Sequence, residues 1–194
     1  MQKLSLTTFV DIISASGIPK STKTRNALKQ TNYHPAKDYY KQVRERIISL
    51  HENNKTKQYL SSLNHSLNNE NKRNNYAEII SQYIKWMGNK KFKWFDPPYG
   101  IYKKDKILIR VNPELGLKIN DEKHAIKLYF KSDKLSKAKA DIIMGIMDEC
   151  LQTKDIMSVL DIRRGKLFVP TKHIPMLKQT VDAEIAYISQ FLEA

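Results

Sequence analysis

Apolar residues recur at helical spacing through the first ninety positions and at a period of two soon afterwards. In the first stretch the pattern predicts helices over 5–16, 21–31, 35–51, 57–68 and 71–88. The third is the most regular: Ala36, Tyr40, Val43, Ile47 and Leu50 share one face, with Pro35 placed for its first turn. The fifth aligns Tyr76, Ile79, Ile80, Tyr83, Ile84 and Met87. Between these two the chain is dense in Asn and Ser, which predicts exposed turns around a short helix. Past Pro97, Pro98 and Gly100 the alternation predicts strands at 101–103, 106–112, 115–120 and 124–131. A helix over 135–152 follows, aligning Leu135, Ala138, Ile142, Ile146 and Cys150. A hairpin over 158–170 turns at Arg163-Arg164-Gly165-Lys166, and a last helix spans 175–192.

The expected fold is α+β, a helical N-terminal region followed by a small antiparallel sheet with two packed helices. The expected organisation is a basic helical segment at 1–90 joined to an α+β domain at 91–194. Trp86, Trp94, Phe95 and Tyr99 bracket that junction and read as packing between the halves.

Charge changes the picture more than composition does. Thirty-four Lys and Arg face 20 Asp and Glu, a formal net charge of +14. Fifteen of the cations and six of the acids precede residue 91, so the helical segment is the more basic per residue. Such an excess favours a polyanionic partner, because cations placed against phosphates release condensed counterions. A Lys- and Asn-rich composition with a merely solvated cationic surface is the competing explanation. The one cysteine, Cys150, excludes an internal disulfide and a Cys-based zinc site. The five His are scattered, there is no glycine-rich phosphate loop, and neither metal nor cofactor is expected. Asp11 interrupts the apolar run near the N-terminus, and no stretch approaches the ~20 apolar residues of a membrane span. The expected setting is cytoplasmic, without a membrane partner.

Three constellations carry candidate chemistry. The strand–strand–helix order over 106–152 has a loose similarity to the core of restriction-endonuclease-like enzymes. That resemblance implies a metal-dependent nuclease with Glu114 as first acid and Asp121-Glu122-Lys123 as the Asp-x-Lys element. Those acids fall in the turn at 120–123 rather than on the strand, however, and the positions two before Lys127 and Lys131 are Ala125 and Tyr129. A degenerate, non-cutting core is the form of this reading that remains.

The segment "SGIPKSTKTRNALK" within 5–31 resembles the turn and second helix of helix-turn-helix repressors. This implies DNA contacts from Lys20, Lys23 and Arg25 near the helix start, with Ala27 and Leu28 anchoring it to Phe9 and Ile13. Any αα-hairpin with a Gly turn and a Ser or Thr cap would give the same letters.

The third constellation is a distributed basic surface. Lys37, Lys41 and Arg44 form a stripe on the helix at 35–51. If the strands pair as consecutive hairpins, Arg110, Lys118, Lys127, Tyr129 and Lys131 share one sheet face, with Arg163 and Arg164 extending it. Cations around an aromatic ring suit a phosphate backbone and base stacking. A polar outer sheet face is equally what an ordinary antiparallel sheet shows to water.

The leading expectation is thus a non-enzymatic nucleic-acid-binding protein, with DNA favoured over RNA. The second is a protein-interaction subunit of a bacterial mobile-element or defence complex, whose basic surface meets an acidic protein partner. The nuclease is third.

Overall fold

A computed structural model describes residues 1–29, 38–170 and 177–192. The chain adopts the α+β fold expected of it. In order, the elements are β1 (Gln2–Ser5), α1 (Leu6–Ile13), α2 (Gly17–Lys29), α3 (Lys41–Glu52), α4 (Lys57–Ser61), α5 (Glu70–Met87), β2 (Lys93–Trp94) and β3 (Gly100–Lys104). They continue with β4 (Ile107–Val111), β5 (Leu115–Ile119), β6 (Glu122–Tyr129), α6 (Lys137–Leu151), β7 (Ile156–Asp161), β8 (Lys166–Phe168) and α7 (Leu177–Gln190). Short 3₁₀ turns lie at Ser62–Ser66 and Ile162–Arg164.

The strands form two mixed sheets, ordered β1-β4-β3 and β2-β5-β6-β7-β8. Consecutive hairpins account for only part of the pairing. β6 runs parallel to β7, with Tyr129 opposite Asp161, because α6 carries the chain back to the starting end of β6 between them. β1 runs parallel to β4, Leu4 opposite Ile109. The first ninety residues were expected to contain no strand. Four residues are too few to show a period of two, and what holds β1 is the β4 edge it joins.

The middle of the five-stranded sheet is covered on both faces. Ala125, Tyr129, Met157, Val159 and Phe168 face a core shared with α1, α6, α7 and the three-stranded sheet. Leu115, Leu117, Ile126, Leu128 and Leu160 face a second core built with α3, α4 and α5. β6 is accordingly buried along both sides from His124 to Tyr129, as a central strand with a parallel neighbour tends to be. Helix ends follow the usual chemistry: the side chains of Ser5, Asn69 and Ser136 accept hydrogen bonds from the amides of Thr8, Lys72 and Lys139. Among the described residues no helix is long and apolar enough to cross a membrane.

Candidate nucleic-acid interface

Burial on both faces of β6 breaks up the basic face expected over 106–131. Lys127 is 7 % exposed. Its ammonium donates to Glu114 Oε1 at 2.5 Å, and the Leu128 amide donates to Glu114 Oε2 at 2.8 Å. The Glu114 side chain thus fills a ladder position beyond the start of β5, and its carboxylate is engaged on both oxygens. Tyr129 is buried in the first core. Burial pushes its phenol up to about 12, with Asp11, Asp133 and Asp161 adding to the rise. Lys131 is ion-paired with Asp11. The alternation along β6 was genuine, but from Ala125 onward its polar side meets Glu114, the first core and Asp11 of α1 rather than open water.

Arg110 does lie on an open sheet face. On the outer side of the three-stranded sheet it stands between Ile101 and Ser5, and Leu108 stands between Lys103 and Lys3. Lys118 belongs to the other sheet and pairs with Asp121 at 2.8 Å. Asp121 therefore sits at the far end of β5 from Glu114, with about 16 Å of strand between them. Among the described residues, no three His, Cys, Asp or Glu side chains gather as a metal cluster would require.

The remaining cations divide sharply. Arg163 is a packing residue: it donates to Phe130 O at 2.9 Å, Glu78 at 2.6 Å and Asn75 at 2.6 Å. Arg164 reaches Ser132 O at 2.5 Å and Asp161 at 3.5 Å. Arg44 grips Asp38 through both terminal guanidinium nitrogens, Nη1 and Nη2, and Lys41 pairs with Glu45 at 3.7 Å. Lys37 lies outside the described residues.

The helix pair at the N-terminus presents a different surface. α1 ends at Ile13, Ser14 closes it by donating its amide to Val10 O, and the chain crosses Ala15 and Ser16 into α2. Gly17 opens α2 at φ +56°, a left-handed conformation that a side chain would strain. α2 contains four cations and no acid, and its buried residue is Thr24. The Thr24 hydroxyl is satisfied by Lys20 O at 2.9 Å, while Ala27 and Leu28 rest against the first core. On the flank, Lys20 pairs with Glu184 at 2.6 Å and lies 4.6 Å from the Tyr187 ring centroid. Ser21 hydrogen-bonds the Tyr187 hydroxyl at 3.1 Å. Away from these anchors, Ile18, Thr22, Asn26 and Lys29 are exposed at positions i, i+4, i+8 and i+11, a single stripe, with Arg25 exposed along its edge on the side of Phe191.

Of the residues expected to bind, α2 therefore carries Lys20, Lys23 and Arg25, with Lys20 held by α7. Lys23 and Arg25 are exposed, Lys23 near Asp11 O at 3.4 Å and Arg25 over Phe191 at 5.7 Å. Thr22, Asn26 and Lys29 were missed, although extending the helical period from Arg25 reaches Thr22 and Lys29, and from Thr22 reaches Asn26.

One further polar group inside the fold is a buried histidine–serine pair. His124 Nδ1 lies 3.0 Å from Ser158 Oγ, and Glu122 lies 3.9 Å from the other ring nitrogen. Ser158 is fully buried, so this serine–histidine pair is part of the packing and faces no substrate. No protein-family model matches the chain, and no curated protein matches it.

Proposed function

We propose that the chain is a DNA-binding protein that presents α2 to the major groove. The observation that carries this reading is the exposed stripe on α2: cationic and hydrogen-bonding side chains, no carboxylate, on a helix anchored along its opposite side. A short turn between two helices is the arrangement that lets the second enter a groove while the first crosses the backbone. Arg25 and Asn26 have the side chains that make bidentate contacts to guanine and adenine edges, and Lys23 and Lys29 suit phosphates. Duplex DNA is favoured over RNA because the deep, narrow major groove of an A-form helix does not admit α2.

A mobility-shift titration at low salt tests the reading, with Arg25→Ala, Asn26→Ala and Lys29→Ala beside the wild type. Loss of a base contact at Arg25 or Asn26 is expected to weaken binding to a preferred site by about 1–3 kcal/mol. Lys29→Ala should weaken all sequences alike and lower the salt slope by about one. Wild-type affinity in all three variants would remove α2 from the interface.

A further inference from the structure

A second cationic array lies on the five-stranded sheet, in a place the sequence pattern did not reveal. In the register of β2, β5 and β6, Lys93 stands opposite Lys118 and Lys118 opposite Lys123. Directly opposed side chains on neighbouring strands share a face and lie about 4.5–5.5 Å apart at Cβ. Three ammonium groups therefore line up across three strands over roughly 10 Å. Like charges in this relation repel and weaken strand pairing, so the sheet holds the row at a cost in stability.

The row is built as well as charged. Lys93 and Lys123 are exposed, and the Lys118 side chain is 39 % exposed. The Lys123 ammonium lies 5.2 Å from the Phe95 ring centroid. Phe95 is fixed by its own amide, which donates to Gly116 O at 3.0 Å, and by close approach of its backbone to Gly116. A Cβ at Gly116 would meet Phe95 O at 2.1 Å, so glycine there is what lets this segment lie down beside the row. Among the described residues, the carboxylate paired with the array is Asp121, on Lys118 at 2.8 Å. Asp121 is 94 % exposed, and a solvated pair of that kind is worth about 0–1 kcal/mol, weak enough for a phosphate to displace it.

We infer that Lys93, Lys118 and Lys123 form a second phosphate-backbone contact for nucleic acid, distinct from α2. A regular row of point charges matches a continuous polyanion, which places one negative charge per ~1.7 Å of duplex axis. Lysine provides that match without the bidentate geometry that selects a single carboxylate or phosphate. The inference takes the identity of the polyanion from the reading of α2, and otherwise stands on the sheet register.

The test is fluorescence-anisotropy binding of a random-sequence duplex, and of one strand alone, across a salt series. The proteins are the full chain, the triple variant Lys93→Gln/Lys118→Gln/Lys123→Gln, the single variant Asp121→Asn, and Arg25→Ala/Asn26→Ala. The triple variant is expected to lower the slope of log affinity against log salt by about 2–3, with affinity at 0.1 M salt reduced by a factor on the order of 10². Asp121→Asn is expected to tighten binding, a change of sign that loss of folding cannot imitate. An unchanged slope in the triple variant, while Arg25→Ala/Asn26→Ala weakens binding, overturns the row and leaves α2 standing. A reduced slope in the triple variant with no effect at Arg25 and Asn26 does the reverse. Absence of wild-type binding to either nucleic acid, with tight binding of polyglutamate, overturns both in favour of an acidic protein partner.

Discussion

Replacing Lys127 with Met separates a structural lysine from a nucleic-acid contact. The change keeps the length and most of the volume of the stem while deleting the ammonium that sits 2.5 Å from Glu114 Oε1. Both side chains are nearly dry, at 9 % and 8 % exposure. At an effective dielectric of about 20 their attraction is roughly 7 kcal/mol, most of it offset by the desolvation of the two ions. The balance shifts when one partner goes: Glu114 is then a buried carboxylate with the Leu128 amide as its remaining partner. Removing one member of a buried pair costs about 3–5 kcal/mol. For a chain of this size each kcal/mol moves Tm by about 2–4 °C, so Lys127→Met is expected to lower Tm by about 6–20 °C in calorimetry or thermal circular dichroism. Glu114→Gln in the same chain keeps an acceptor for the Leu128 amide and removes the stranded charge, so the double variant should regain most of that loss. DNA affinity, measured well below Tm, should match the wild type. A Lys127→Met protein with unchanged Tm and weakened DNA binding would refute the placement of Lys127 inside the fold.

Three further outcomes follow from the packing. His51 is buried against Tyr83 at 2.7 Å, and burial lowers its pKa from 6.5 to about 4. The unfolded chain therefore takes up a proton that the folded chain refuses between those values, and stability falls as pH drops through the window. The loss is about 2 kcal/mol between pH 7 and pH 5, read by urea unfolding, and His51→Gln should flatten that slope; a wild-type slope no steeper than the variant's would contradict the buried neutral imidazole. Gly116→Ala should destabilise by about 1–3 kcal/mol, because Phe95 O must move, and should also weaken DNA binding by displacing Phe95 and Lys93. Thr24→Val is nearly isosteric and leaves the Lys20 carbonyl to its helical bond, so it should change Tm by only a few degrees and leave DNA affinity unaltered, as befits the buried side of α2.

Much of the architecture could be read from residue order. α6 and α7 fall within the predicted helical segments, α3 and α5 overrun theirs by one residue, and β3 to β6 lie within a residue or two of the predicted strands. α2 begins earlier than its cap residues suggested because Gly17 takes the left-handed turn and Ile18 and Pro19 already belong to the helix. What the pattern could not contain was pairing between distant segments. β1 and β2 are too short for periodicity and exist because β4 and β5 offer edges. The fate of each lysine was equally non-local: Lys127 is buried because α6 places β7 parallel to β6, and Lys131 is paired because α1 brings Asp11 across the sheet. Charge counts predicted a basic surface but could not say which cations were already engaged. Lys93 is absent from the sequence pattern and Lys123 enters it only as part of an Asp-x-Lys element for the same reason, since only the strand register places them beside Lys118.

The central claim is that the exposed stripe of α2 meets DNA, and amide chemical-shift mapping tests it most directly. Titration of the labelled protein with duplex at low salt is predicted to shift the amides of Ile18 and Lys20–Lys29 progressively, while those of α3 and α5 on the opposite side of the sheet stay in place. Binding that leaves the α2 amides unmoved, or no binding at low salt, would contradict the account.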